Sequence, residues 1–264
     1  MPRIPVSMPQ FPPDTLTLTG QDAIHVRNVL RMQPGDLLCL FDGRGNEYDT
    51  RITAVDGTGV HLRLCGARRC IPDSPVHLDI AIALLKEKKI DDLIRPLTEL
   101  GVRTLRIFSA KRSVPVLRED KVKARLERWQ RLATEALKQC GAGHMPDILF
   151  HDTLSPLLED GQEHEMRILF WESTRTSPWP GPHARPSRIR AVFGPEGGFE
   201  TSEVEAFQRA GYEILGLGPR ILKAPTAVLA GSALLQFRYG DLSHPPQVPF
   251  FPPEDSPEPS PKSS

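Results

Sequence analysis

Two glycine-rich turns carry the residue types that could build a binding site. One is Phe193-Gly194-Pro195-Glu196-Gly197-Gly198-Phe199. The other is Leu217-Gly218-Pro219-Arg220-Ile221-Leu222-Lys223-Ala224-Pro225-Thr226. Each begins where an apolar run stops: residues 188–193 read as a buried strand ended by Gly194-Pro195, and 212–217 as a second ended by Gly218-Pro219. A helix signal follows each. In open α/β sheets ligands occupy the crevice at the carboxyl ends of the strands. Gly197-Gly198 lets a ligand approach the backbone closely, because glycine has no Cβ and tolerates positive φ. The chemistry offered is main-chain N–H and C=O groups around a small molecule. Two tight strand-to-helix turns without a ligand are the simpler reading of Gly-Gly alone. Two such turns, backed by the small-residue segment 224–233, favour one shared site.

The elements that must position these turns are legible in outline. Residues 76–85 form an apolar run of strand length, which reads as a buried parallel strand. Ile90, Leu93, Ile94, Leu97 and Leu100 recur at helical spacing up to Gly101, with Pro96 expected to kink or shorten that helix. Another strand spans 105–109. A long helix follows, with Val122, Leu126, Trp129, Ala133, Ala136, Leu137 and Cys140 on one face and Gly141 as its stop. Short strands are expected at 147–150 and 167–171. Ser202-Glu203-Val204-Glu205 fits a capping box opening a helix that ends at Gly211, and 226–239 is the last helix. This strand–helix alternation predicts an α/β domain with a parallel sheet.

Before it, residues 1–72 read as a small β-rich domain. Leu16-Thr17-Leu18, 36–41, 48–55 and 60–64 are its strands, and 23–30 a short helix carrying His25 and Arg27. Arg31, Arg44, Arg63, Arg68 and Arg69 could touch phosphates or be ordinary surface charge. Ile71-Pro72-Asp73-Ser74-Pro75 is the expected boundary. Residues 244–264 read as a disordered tail, since eight of the 27 prolines fall in 241–264 and that composition cannot bury a core.

Composition narrows the class. Lys+Arg and Asp+Glu are equal at 33 each, so net charge gives no nucleic-acid signal. Residues 111–138 nevertheless hold nine Lys/Arg against four Asp/Glu, which is either a phosphate footprint or a solvated helix face. Cys39, Cys65, Cys70 and Cys140 form no Cys-x-x-Cys pair, so no metal site is expected and the thiols read as reduced, in a cytoplasmic protein. No signal-peptide core and no run near the ~18–20 apolar residues of a membrane helix is present. There is no P-loop Gly-Lys-Ser/Thr and no Gly-x-Ser-x-Gly elbow.

The two turns, with a Thr-Ala start to the last helix, resemble the RsmE family, the ribosomal RNA small-subunit methyltransferases of the SPOUT class. Lys138-Gln139-Cys140-Gly141, Thr98-Glu99-Leu100-Gly101-Val102, Val29-Leu30-Arg31-Met32, Pro34-Gly35-Asp36 and Leu40-Phe41-Asp42-Gly43 extend the likeness over about residues 20–243. The resemblance implies a PUA-like RNA-binding domain (1–72) and a trefoil-knotted SPOUT domain (73–243). It implies a homodimer face on the last helix and S-adenosylmethionine as cofactor. It also implies methylation of uridine N3 in 16S ribosomal RNA. Cofactor binding would fall to Gly194, Glu196, Gly197, Gly198, Leu217, Gly218, Ile221, Leu222 and Thr226, and catalysis to Lys223 and Arg220. The chain departs from the family pattern where Lys223-Ala224-Pro225-Thr226 replaces Arg-x-Glu-Thr, and at Ala142 and Pro96. Another RNA target, or an RNA-binding protein without catalysis, are the alternatives those departures leave.

Overall fold

The apolar run around residue 80 forms the middle of the larger sheet in a computed structural model that describes residues 1–9, 12–86, 88–159, 163–174, 179 and 185–245. This strand, β6 (His77–Ala83), is buried from Leu78 onward. It is flanked by β10 (Arg188–Phe193) and β7 (Thr104–Phe108), both parallel to it. A strand with neighbours on both edges and helices on both faces is apolar on both faces except where a polar side chain finds a buried partner, as Asp79 does in Arg190. β8 (Asp147–His151) extends one side. β9 (Met166–Phe170) and β11 (Glu213–Leu215) extend the other, in the order β11-β9-β10-β6-β7-β8. All pairings are parallel, so every strand delivers its carboxyl end to the same edge.

Alternation along the strands splits the core in two. Ile80, Ile82, Ile189, Ala191 and Phe193 pack under α2 (Lys89–Glu99), α3 (Glu119–Cys140) and α6 (Ala224–Tyr239), which contribute Leu93, Leu97, Trp129, Ala133, Val228 and Leu235. Ala81, Ala83, Phe108, Leu169 and Val192 pack under α4 (Ser155–Glu159) and α5 (Thr201–Arg209), through Leu157, Val204 and Phe207. α2 runs through Pro96 without a break and ends before Gly101, which has φ +71°. Gly141 closes α3 in the left-handed conformation. The cap of α5 corrects the expectation: the box joins Glu200 and Glu203, not Ser202 and Glu205, because the helix already begins at Thr201.

The amino-terminal residues form a separate five-stranded sheet, ordered β1-β3-β4-β5-β2. Its strands are β1 (Arg3–Pro5), β2 (Thr15–Leu18), β3 (Leu37–Phe41), β4 (Asn46–Val55) and β5 (Val60–Arg69). The expected short helix is α1 (Gly20–Ile24) running into a π-helical turn (His25–Val29). β1 was not foreseen, since three residues carry no period. It matters because its Arg3 reaches across to the other sheet's long helix. The guanidinium donates to the carbonyls of Leu137 and Ala142, pairs with Glu47 at 2.6 Å and lies over the Phe41 ring. Residues 246–264 of the proline-rich tail lie outside the described residues, as do Pro178, Pro180 and Pro182 of the loop before β10.

Candidate active site

Phe170, Phe193 and Leu215 end β9, β10 and β11 in one row: Phe193 is level with Phe170, and Phe170 with Leu215. The turns leaving β10 and β11 therefore emerge on either side of the β9 exit. The amide of Trp171, the first residue past β9, donates to the Leu215 carbonyl at 2.9 Å. Below this edge the Phe170 and Phe193 rings stack at 4.8 Å. Gly231 of α6 lets them do so, since a Cβ there would stand 2.7 Å from Phe193 Cζ. Gly231 thus packs within its own chain, while Ala230 and Ala233 stay partly exposed.

The crevice between the turns is furnished mainly with backbone. From Gly216 to Leu222 no main-chain N–H donates to a described residue. Main-chain groups without a partner among the described residues can be satisfied by water or a ligand. Gly218, at φ +80°, has open space where a Cβ would be. Gly198, at φ +69°, closes its turn by donating to the Pro195 carbonyl, and a Cβ on it would run into Glu172 Oε1. These features fit a small polar ligand held by main chain, including an adenosyl group with an amino-acid tail.

The proposed site residues fall into three groups. Gly194, Gly197 and Gly198 shape the first turn, and Leu217, Gly218, Ile221 and Leu222 line the second. Ile221 is 83% exposed, an apolar side chain offered to whatever enters. Glu196 is already engaged, accepting from the Lys86 amide (3.0 Å) and Lys89 Nζ (3.1 Å). Partial burial opposes its ionisation, but those bonds and that ammonium outweigh burial and hold the carboxyl below its usual range. It ties the β6–α2 loop to the first turn. Arg220, Lys223 and Thr226 are exposed at the start of α6, and neither cation bonds to a described residue. Pro225 stands in the first turn of α6, where its missing N–H costs nothing. The lost donor is therefore not a defect of the helix.

Sequence reasoning missed Glu172 and Arg112, whereas Thr174 lies in the proline-bearing loop 173–187, which the sequence places just before the strand into the first turn and so at the border of the site. Glu172 and Thr174 come from the β9 exit: Glu172 borders Gly198, and Thr174 Cγ2 would lie 3.1 Å from a Cβ on Gly216. Their position just past a strand's carboxyl end was the available signal. Arg112 Nη1 donates to the Gly197 carbonyl at 3.2 Å, and only the fold brings the β7–α3 loop there. Glu203, 2% exposed, ties that loop to the start of α5 by accepting from the Lys111 and Glu200 amides, each at 2.9 Å. In the smaller sheet Arg68 is committed to Glu47 and Asp49, while Arg31 holds φ +54°. Among the described residues, no three His, Cys, Asp or Glu side chains cluster as a metal site would, and no helix is long and apolar enough to cross a membrane.

Residues 72–236 match the model of an RNA methyltransferase domain, and residues 18–65 that of an RNA methyltransferase PUA domain. A ribosomal RNA small subunit methyltransferase E from Synechocystis is 30% identical over 230 residues, 85% of this chain and 74% of the relative. This chain belongs to the ribosomal RNA small subunit methyltransferase E family. A Bacillus subtilis member is 29% identical over 231 residues, covering 85% of this chain and 90% of its own. Among solved structures, the family member from Neisseria gonorrhoeae bound to S-adenosyl methionine superposes with a TM-score of 0.81. It is 27% identical, over 91% of this chain and 99% of that one. A Legionella pneumophila protein in complex with the cofactor SAM gives 0.82 at 26% identity, over 91% and 98%. The likeness therefore spans both sheets and their helices.

Proposed function

We propose that this chain is an S-adenosylmethionine-dependent methyltransferase that modifies N3 of a uridine in 16S ribosomal RNA. The observation that carries the reading is the pair of adjacent turns, the second with main chain that bonds to no described residue, in a chain of this family. The bound cofactor supplies an electrophilic methyl group on a positively charged sulfur. The main chain of 194–198 and 216–222 holds and orients it, with Ile221, Leu222 and Thr226 around it. Glu172, between the turns, offers the carboxylate that ribose hydroxyls or an ammonium need. Uridine N3 attacks only once its proton has left. Lys223 and Arg220, beside the positive end of α6, lower the cost of the resulting negative charge on the uracil oxygens. Alignment of the base with the methyl group is the remaining contribution.

The same proposal divides the chain at residues 72/73. Residues 1–72 act as the PUA-like RNA-binding unit, 73–243 as the methyltransferase unit with its trefoil knot, and 244–264 as a tail. The sheet order supports the knotted path: β11 lies outside β9, yet α6 returns across β10 and β6. A homodimer joined through α6 is supported by Ala230, Leu234 and Phe237, which share one helix face. Leu234 and Phe237 are exposed on it.

A second reading, another RNA target, is favoured by Lys223 and Pro225 standing where the family has Arg and Glu. Two measurements decide. Titration calorimetry should show S-adenosylmethionine binding, and no heat at millimolar cofactor would remove the enzyme. Primer extension on ribosomal RNA should show a stop that vanishes in a deletion strain. A stop that persists there would leave the second reading.

A further inference from the structure

The start of α2 and the first turns of α3 enclose a cleft of about 650 Å³ lined by Lys88, Asp91, Lys121, Ala124, Arg125 and Arg128. We propose that this cleft is a track for the ribose–phosphate backbone of the RNA substrate, placed directly beside the cofactor turns. The inference rests on the RNA methyltransferase reading and adds to it where the strand runs.

Four cations and one carboxylate line the cleft, in a protein whose 33 Lys+Arg balance its 33 Asp+Glu. A local surplus of that kind attracts polyanions even when the whole molecule is neutral. Lys121, Arg125 and Arg128 stand at i, i+4 and i+7 and so share one stripe of α3. Glu119 and Glu127 fall elsewhere on the helix. Asp91 does not cancel the surplus but orients it. Only 6% exposed, it takes Arg128 Nε at 2.7 Å, Arg125 Nη1 at 3.5 Å and Trp129 Nε1 at 2.8 Å. Both guanidiniums remain more than 40% exposed, with planar N–H donors to spare for a phosphate. Lys88 and Lys121 make no side-chain bond to a described residue.

Two links tie the elements that line the cleft to the first turn. Lys88 precedes Lys89, which is bonded to Glu196 of the first turn, and Arg112, ahead of α3, holds the Gly197 carbonyl. A strand lying in the cleft would thus deliver its next nucleotide to the turns. At the opposite end of α3, Arg3 fastens the small sheet, so an RNA held by both would follow this helix.

The test is the double variant Lys88→Ala/Lys121→Ala, which disturbs no ion pair among the described residues. Binding of a fluorescent oligouridylate is followed by anisotropy across a salt series, with S-adenosylmethionine titrated in parallel. Two lost phosphate contacts should flatten the slope of log K against log salt by about 1.4. Affinity at low salt should fall about tenfold, with cofactor binding and the urea midpoint unchanged. Lys121→Glu alone should weaken binding further than Lys121→Ala. Parental slope and affinity in the double variant would overturn the track. Failure of the parent protein to bind cofactor strikes the methyltransferase reading instead, and is scored separately.

Discussion

A methyl group on Gly198 meets two obstacles, a backbone at φ +69° and the carboxylate of Glu172. The first costs about 1–2 kcal/mol for an L side chain. The second pushes Glu172 out of the crevice. Gly198→Ala should therefore lower the affinity for S-adenosylmethionine about tenfold or more, read by calorimetry, and an unaltered affinity would separate this turn from the cofactor. Lys223 is placed differently, its side chain exposed and bonded to no described residue, so replacing that side chain leaves the fold alone. If it faces charge that develops on the uracil, Lys223→Ala slows single-turnover methylation about 100-fold, while Lys223→Arg keeps most of the rate. Cofactor affinity stays put in both. Parental speed in the alanine variant would take Lys223 out of the chemistry.

At the level of elements, the contact between α2 and α3 depends on Asp91. Its removal leaves the Trp129 indole N–H, in a side chain only 2% exposed, with no acceptor. The two arginines can turn to water, so the main loss is that one buried donor, worth about 2 kcal/mol. Asp91→Ala should lower unfolding stability in urea by about that amount, and a shift near zero would show that the pair is not what holds the helices. The joint between the two sheets can be followed through thiols. Burial, reinforced by the Glu47 carboxylate, pushes Cys39 up to about 11 and Cys70 up to about 12. Gly143 lies against Cys70, so that thiol opens only if the joint does. At neutral pH Cys65, which is exposed, should alkylate first, with Cys39 and Cys70 reacting only on unfolding. Early labelling of Cys70, seen by mass spectrometry, would mean the two sheets move apart.

Across the whole molecule, the most deeply buried of the depressed carboxylates contributes to the response to acid. Asp79, 1% exposed, lies under the sheet with Arg190 Nη2 at 2.9 Å, Arg106 Nε at 3.0 Å and His164 Nε2 at 3.3 Å. Burial works against its charge, but the His164 hydrogen bond and the two guanidiniums prevail and hold its carboxyl below the ordinary range. A carboxyl depressed in the folded state stabilises the fold above its unfolded pKa. That contribution disappears as pH falls through the folded value. Urea midpoints should hold steady near neutrality and drop below about pH 4, and a flat profile through that range would mean Asp79 does not contribute to acid stability.

The elements and both turns were legible in the chain because their signals are local. Apolar runs such as 76–85, glycines at strand ends, and the helical period through Ile90, Leu93, Ile94 and Leu97 need no knowledge of distant residues. The same holds for the family likeness, which is carried by short motifs in order. What stayed hidden depends on pairing. Asp79 reads as a polar residue in an apolar strand until Arg190 and Arg106 arrive from neighbouring strands. Arg3 is an ordinary surface arginine until β1 lies beside β3, and Glu172 is a loop residue until the row of Phe170, Phe193 and Leu215 sets the turns on either side of it. Sequence by itself determined which segments form strands, helices and turns, since backbone preference and hydrophobic period act over a few residues. Only the tertiary structure decided which charges meet and which main-chain groups are left open to a ligand. Those depend on strand order, and strand order is fixed by packing among segments far apart in the chain.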